Sequence, residues 1–224
     1  FSLGFDWYVK EFFHDYEGEK ICGSFTPEYL YFEDVPQRLY HQYGDWLKLI
    51  FIFRNPIERA FSHYLMSKKR MREFESFEIA IGLEEKRIIN GDYNDKVDYS
   101  YISRGFYGKQ LRRYLEFFSP DNMLFIRFEE DFVRNRQKTL DSILEFLELS
   151  DYDFNLNLQS NKAQAPVFPA INRVLFKNDW LKRNTRGMGR LKSWLKPILE
   201  RLLMREAPKE TIPMHVRSKL ENLY

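Results

Sequence analysis

Cysteine is nearly absent from the 224 residues. With Cys22 alone, an internal disulfide and a metal-thiolate site are both excluded, and a reducing compartment, the cytoplasm, is the simpler expectation. Histidine is sparse too: His14, His41, His63 and His215 fall at no metal-ligand spacing, so no metal site is expected. No apolar run reaches bilayer length, and no signal sequence is visible. Charge is nearly balanced, with 35 Lys and Arg against 33 Asp and Glu, which is too even to imply a nucleic-acid partner. Its distribution is uneven, however. The basic stretch from Arg173 to Arg205 reads either as a solvated helix face or as a surface for peripheral contact with anionic polysaccharide or headgroups.

Aromatic residues, by contrast, make up 17% of the chain, enough for one tightly packed core in a single domain spanning 1–224, with 151–224 as its mainly helical C-terminal part. Hydrophobic periodicity predicts a helix from about Asp6, a strand near Ile21 to Ser24, a helix after Val35 and a strand over Lys48 to Phe53. A helix from Phe74 to about Ile89 follows, with Phe77, Ala80, Ile81 and Ile88 on its apolar face. Asn90 to Ser103 reads as a polar, tyrosine-rich loop of the kind that shapes binding sites. Phe106 to Phe118 reads as an amphipathic helix with Tyr107, Leu111, Tyr114, Leu115 and Phe118 inward, Met123 to Phe128 as a second buried strand, and Thr139 to Leu149 as a closing helix. This alternation predicts an α/β fold of three layers around a central parallel sheet.

The stretch from Lys48 to Tyr64 carries the most chemistry. Its continuous apolar run predicts a strand covered on both faces. Asn55 then suits an N-cap, Pro56 the first helical position, and Glu58 the return half of a capping box. The helix turns Ile57, Ala60, Phe61, Tyr64 and Leu65 inward, which leaves Asn55, Arg59 and Ser62 on the other side. An arginine fork, a serine hydroxyl and a helix N-terminus together suit a phosphate. The same arginines could instead serve structural ion pairs, and spacing leaves both readings open.

The pattern Arg54-Asn-Pro-x-x-Arg59-x-x-Ser62-x-Tyr64 after an apolar strand resembles the 3′-phosphate motif of sulfotransferases that use 3′-phosphoadenosine 5′-phosphosulfate as donor. Further segments resemble the family in order: Gly4-Phe-Asp-Trp7-Tyr8, Thr26-Pro27-Glu28-Tyr29-Leu30, Ser103-Arg-Gly105-Phe-Tyr107, Met123 to Glu129, and Thr139 to Leu149. The resemblance covers roughly residues 1 to 150, is nearest the carbohydrate and bacterial branch, and implies a P-loop NTPase-like sulfotransferase fold. It implies that Arg54 and Ser62 bind the donor 3′-phosphate. Phe128 falls where an aromatic contacts adenine, or else is a core residue; Lys162 reaches the donor phosphates, or else is solvated. Tyr99, Tyr101 and Arg104, together with Tyr93, are candidates for stacking on and bonding to a carbohydrate or small-molecule acceptor, with a packed lid as the alternative.

Two departures stand out. No Lys-x-Gly-Thr-Thr/Ser loop for the 5′-phosphosulfate occurs, and the chain opens at Phe1 without methionine. A longer protein is therefore expected, with the catalytic base upstream of Phe1. Phe25 stands where many carbohydrate sulfotransferases have lysine. A non-catalytic anion-binding module and a nucleotide kinase remain as rival classes at this stage.

Overall fold

The computed structural model describes residues 4–156, 164–166, 204–206 and 210–224. Its centre is a parallel pair of strands, β1 (Leu49–Phe53) and β2 (Met123–Arg127), in register from Leu49 opposite Met123 to Phe53 opposite Arg127. Parallel neighbours need a long crossover. Here it holds α3 (Pro56–Lys69), α4 (Phe77–Ile89), α5 (Tyr93–Tyr99) and α6 (Tyr107–Leu115). Before β1 come α1 (Phe5–Phe12) and α2 (Val35–Tyr43); after β2 come a π-helical turn over Phe128–Val133 and α7 (Arg136–Phe146). A short antiparallel pair, β3 (Gln164–Pro166) with β4 (Met204–Glu206), and α8 (Met214–Glu221) complete the described elements.

Two apolar cores position the site. In one, Val35 and Leu39 of α2 and Tyr114 and Phe118 at α6 pack on Phe51 and Met123 of the strands. In the other, the predicted stripe of α3, Ile57, Ala60, Phe61 and Tyr64, meets Phe77, Ala80 and Ile81 of α4 and Val216 and Leu220 of α8. Leu65 packs at its margin. The two faces of α3 are thus committed differently, one to the core and one to the cleft described below.

Several sequence expectations shift. Ile21 to Ser24 has no strand partner and is irregular. Strand alternation puts Phe51 inward while Ile50 and Ile52 stay more than a third exposed among the described residues, so β1 is not covered on both faces. Leu115 is exposed rather than inward, because the buried face of α6 runs through Gln110 and Tyr114 and leaves Leu115 outside it. The supposed loop over Asn90 to Ser103 contains α5, started by a reciprocal capping box between Asp92 and Asp95. Most of the basic stretch from Arg173 to Arg205 lies outside the described residues.

Candidate active site

The turn between β1 and α3 is held from several directions. The Asn55 side chain accepts from the amides of Ile57 at 3.0 Å and Glu58 at 3.3 Å, as expected of an N-cap, and Pro56 occupies the first turn. The expected capping box does not form. Glu58 pairs with Arg217 of α8 at 2.5 Å, and the Asn55 amide donates instead to Glu129 Oε2 at 3.1 Å.

Arg54 sits at the strand end, and its own carbonyl accepts from the Tyr107 hydroxyl at 2.9 Å. The guanidinium carbon lies 5.7 Å from the centre of the Phe128 ring. Its buried Nε stands 3.4 Å from Glu129 Oε1, an ion-pair contact without hydrogen-bond alignment. Among the described residues, no hydrogen bond engages its two terminal nitrogens. Arg54 therefore makes a structural ion pair through Nε, and its fork carries no hydrogen bond from the described residues.

Arg54, Arg59, Ser62, Arg104 and Phe128 all line one cleft of about 1900 Å³. That exceeds the roughly 300–1,000 Å³ of a pocket for one small ligand. Ser62 is exposed on the cleft side of α3, while Arg59 donates to the Tyr101 carbonyl and keeps a buried Nε without a partner among the described residues. Lys20 and Arg70 lie along the same walls with Glu19 and Glu28, and Lys48 there is paired with Glu148 at 2.6 Å. His63 also lines the cleft, but its Nε2 donates to the Val97 carbonyl at 3.0 Å. Burial first, then the neighbouring Arg104 and Arg59 cations, push its pKa down to about 3, so the ring stays neutral and is a poor proton acceptor at neutral pH.

The candidates for acceptor contact divide. Arg104 faces the cleft, stacked 4.9 Å from the Tyr31 ring centre, with its Nε donating to Ser100 Oγ at 2.7 Å. Burial lowers its pKa, and Glu28 across the cleft opposes that shift. Tyr101, at 0% exposure, belongs to the core: its hydroxyl donates to Glu73 at 2.9 Å and has no access to an acceptor. Tyr99 donates to the Arg72 carbonyl at 3.0 Å, under the Arg87 guanidinium, away from the cleft. The Tyr93 ring stacks on Phe32 at 4.8 Å. Lys162 lies outside the described residues.

Three residues matter more than their sequence signal suggests. Glu129 and Tyr107 fasten Arg54 but sit inside motifs noticed for other reasons. Buried Glu84 accepts from the amides of Ile102 at 2.5 Å and Ser103 at 2.8 Å, anchoring the 3-10 turn Ser103–Gly105 that presents Arg104. Periodicity marks Glu84 only as a charge on an apolar helix face. No cluster of potential metal ligands occurs among the described residues, and no helix among them is long and apolar enough to cross a membrane.

The sequence profile of the sulfotransferase domain matches residues 40–178, more than half of the chain, and includes the Arg54–Ser62 turn, the Arg104 turn and Phe128. The chain belongs to the sulfotransferase domain family. The sulfotransferase chain is 26% identical over 174 residues to the human heparan sulfate glucosamine 3-O-sulfotransferases 3B1 and 3A1. These alignments cover 78% of the chain but only 42% and 40% of the two relatives, so it spans about two fifths of their length. The crystal structure of a sulfotransferase from Alicyclobacillus acidocaldarius superposes with a TM-score of 0.62 at 27% identity, covering 88% of this chain and 68% of the other. The expected α/β sulfotransferase fold therefore holds, with the parallel β1–β2 pair at its centre.

Proposed function

We propose that this sulfotransferase domain binds 3′-phosphoadenosine 5′-phosphosulfate through Arg54 and Ser62, and that the protein transfers the sulfuryl group to a hydroxyl or amine of a carbohydrate or another metabolite. One observation carries the reading. Arg54, at the capped N-terminus of α3, and the exposed Ser62, two turns along it, line the same cleft, with the Phe128 ring next to the guanidinium. The two guanidinium nitrogens would bond the donor 3′-phosphate bidentately, the serine hydroxyl would donate to it, and the ring offers a face for adenine. The naming of two relatives as glucosamine 3-O-sulfotransferases supports a sugar acceptor.

In the reaction, an acceptor oxygen or nitrogen forms a bond to sulfur as the bond from sulfur to the bridging phosphate oxygen breaks. Adenosine 3′,5′-bisphosphate leaves with the electron pair, and the acceptor proton passes to a base. His63 is unsuited to that role, because burial and the neighbouring Arg104 and Arg59 cations lower its basicity and its Nε2 proton is committed to Val97. Catalysis of this kind rests on alignment and on cations beside the charge that develops on the leaving phosphate. Arg54 anchors the donor end, and Arg104, across the same cleft, faces the acceptor space.

A screen of radiolabelled sulfate transfer with the full-length protein against sugar, phenol and alkyl hydroxyl acceptors tests the proposal. Sulfation of a sugar is the expected result. Uptake of ATP with phosphate transfer, or nucleotide binding with no transfer to any acceptor class, would overturn it.

A further inference from the structure

Glu129 is the least expected member of the donor end of the cleft, because it brings negative charge to a place read as an anion site. Its two carboxylate oxygens are divided between neighbours in sequence: Oε1 stands 3.4 Å from Arg54 Nε, and Oε2 accepts from the Asn55 amide at 3.1 Å. A carboxylate can accept at both oxygens, whereas an amide at this position would turn a donor toward one of these two donors. Glu129 lies two residues past the end of β2 and Arg54 directly past the end of β1, so one side chain ties together the ends of the two parallel strands and the first turn of α3.

The carboxylate approaches Arg54 closest at Nε, on the side edge of the guanidinium. Of the two ways a guanidinium can meet a carboxylate, this one leaves the outer pair of nitrogens available. The Phe128 ring lies beside the same guanidinium, and the Tyr107 hydroxyl fixes the Arg54 carbonyl. An arginine on a long, rotamer-rich side chain loses freedom when it binds phosphate, and a side chain already held loses less.

We propose that Glu129 is a positioning residue: it pre-orders Arg54 through Nε so that the fork meets the donor phosphate. The inference rests on the donor reading above, and it makes a prediction opposite in sign to simple electrostatics. Removing an acid beside an anion site should tighten anion binding by Coulomb's law. If Glu129 acts by ordering Arg54, its removal weakens binding instead.

The experiment is a calorimetric titration with adenosine 3′,5′-bisphosphate of the wild type, Glu129→Ala, Glu129→Gln and Glu130→Gln. Glu130 is exposed and pairs with Arg127, and so reports the charge effect alone. The expected result is affinity weaker by about three- to tenfold for both Glu129 variants, the cost of ordering one free side chain, with unchanged or tighter binding for Glu130→Gln. Equal or tighter binding in folded Glu129 variants overturns the proposal. A second readout needs no nucleotide: the ¹⁵N Nε–H resonance of Arg54, assigned with Arg54→Lys, should be slow to exchange in the wild type and should shift and exchange faster in Glu129→Gln. An identical signal in both proteins overturns the proposal even if the wild type takes up no bisphosphate, whereas a lost signal together with no uptake supports the hold on Arg54 and counts against the donor reading alone.

Discussion

The Tyr107 hydroxyl donates to the carbonyl of Arg54 at 2.9 Å, joining the first residue of α6 to the end of β1 across the cleft floor. Burial is the main cause that raises the tyrosine pKa, opposed first by the Arg59 cation, so the hydroxyl remains protonated and a donor at neutral pH. Tyr107→Phe removes that donor while keeping the ring that packs on Phe53 at 4.9 Å. We expect a loss of about 1 kcal/mol in unfolding free energy and a few-fold weaker uptake of adenosine 3′,5′-bisphosphate. Denaturant unfolding and calorimetry on the same sample check both; unchanged values in both would show that the bond does not hold the Arg54 turn.

Glu84 carries a larger share of stability. Its carboxylate is 4% exposed and accepts from two amides of the turn that precedes Arg104. Glu84→Ala leaves both donors without an acceptor, and the cost should be on the order of 2–4 kcal/mol. Chemical denaturation measures it, and a cost below about 0.5 kcal/mol, the scale of an ordinary surface substitution, would mean that the turn holds without Glu84.

His63 sets an acid limb for stability. Its pKa falls from the ordinary 6.5 to about 3 on folding, with burial as the first cause and the Arg104 and Arg59 cations next. The unfolded chain therefore binds more protons between those values, so the His63 contribution is complete above about pH 6.5 and is lost progressively as pH falls toward 3. Glu73, whose carboxyl is depressed by bonds from Arg87, Glu75 and Tyr101 against the larger opposing effect of burial, acts only below the carboxylate value of 4.5. Burial raises the Glu84 carboxyl above its ordinary value, which works against that slope, so between pH 6.5 and 5 the His63 share is read from the difference between wild type and a His63 variant. His63→Gln retains an amide donor for Val97 and removes the titration, so its stability should be flatter across that window. A pH series of denaturant midpoints reads the difference, and parallel curves for the two proteins would contradict it.

What could be read from the sequence was local. Asn55 and Pro56 announce the start of α3, and the spacing of Ile57, Ala60, Phe61 and Tyr64 selects its buried face, because caps and periodicity depend on near neighbours. Glu58 fits a capping box by the same local rule, but Arg217, far along the chain, takes its carboxylate, and Glu129 takes the amide it would have served. Tyr101 looked like a cleft residue because the surrounding run is polar. The Arg87–Glu73 pair accounts for that misreading: it gives a buried tyrosine hydroxyl a partner inside the core. The start of α5 carries a local signal in the Asp92 to Asp95 spacing, a reciprocal capping box. The position of Phe128 beside Arg54 depends on the pairing of β1 with β2, which no local pattern specifies.

Ser62 should contribute less than Arg54, since a neutral hydroxyl gives one bond where the guanidinium gives two charge-assisted ones. Ser62→Ala is expected to weaken bisphosphate binding by about fivefold, near 1 kcal/mol, with stability unchanged because the side chain is exposed. Calorimetry with thermal unfolding as control checks it; full affinity in the variant would remove Ser62 from the anion site.

The central claim is that the turn after β1 holds the 3′-phosphate of a sulfate donor. Its most direct test is a calorimetric titration of Arg54→Ala in the full-length protein with adenosine 3′,5′-bisphosphate. A dissociation constant raised tenfold or more, on the order of 1.5–3 kcal/mol for a charge-assisted contact, is the predicted result. Unchanged affinity in a folded Arg54→Ala variant would contradict the account.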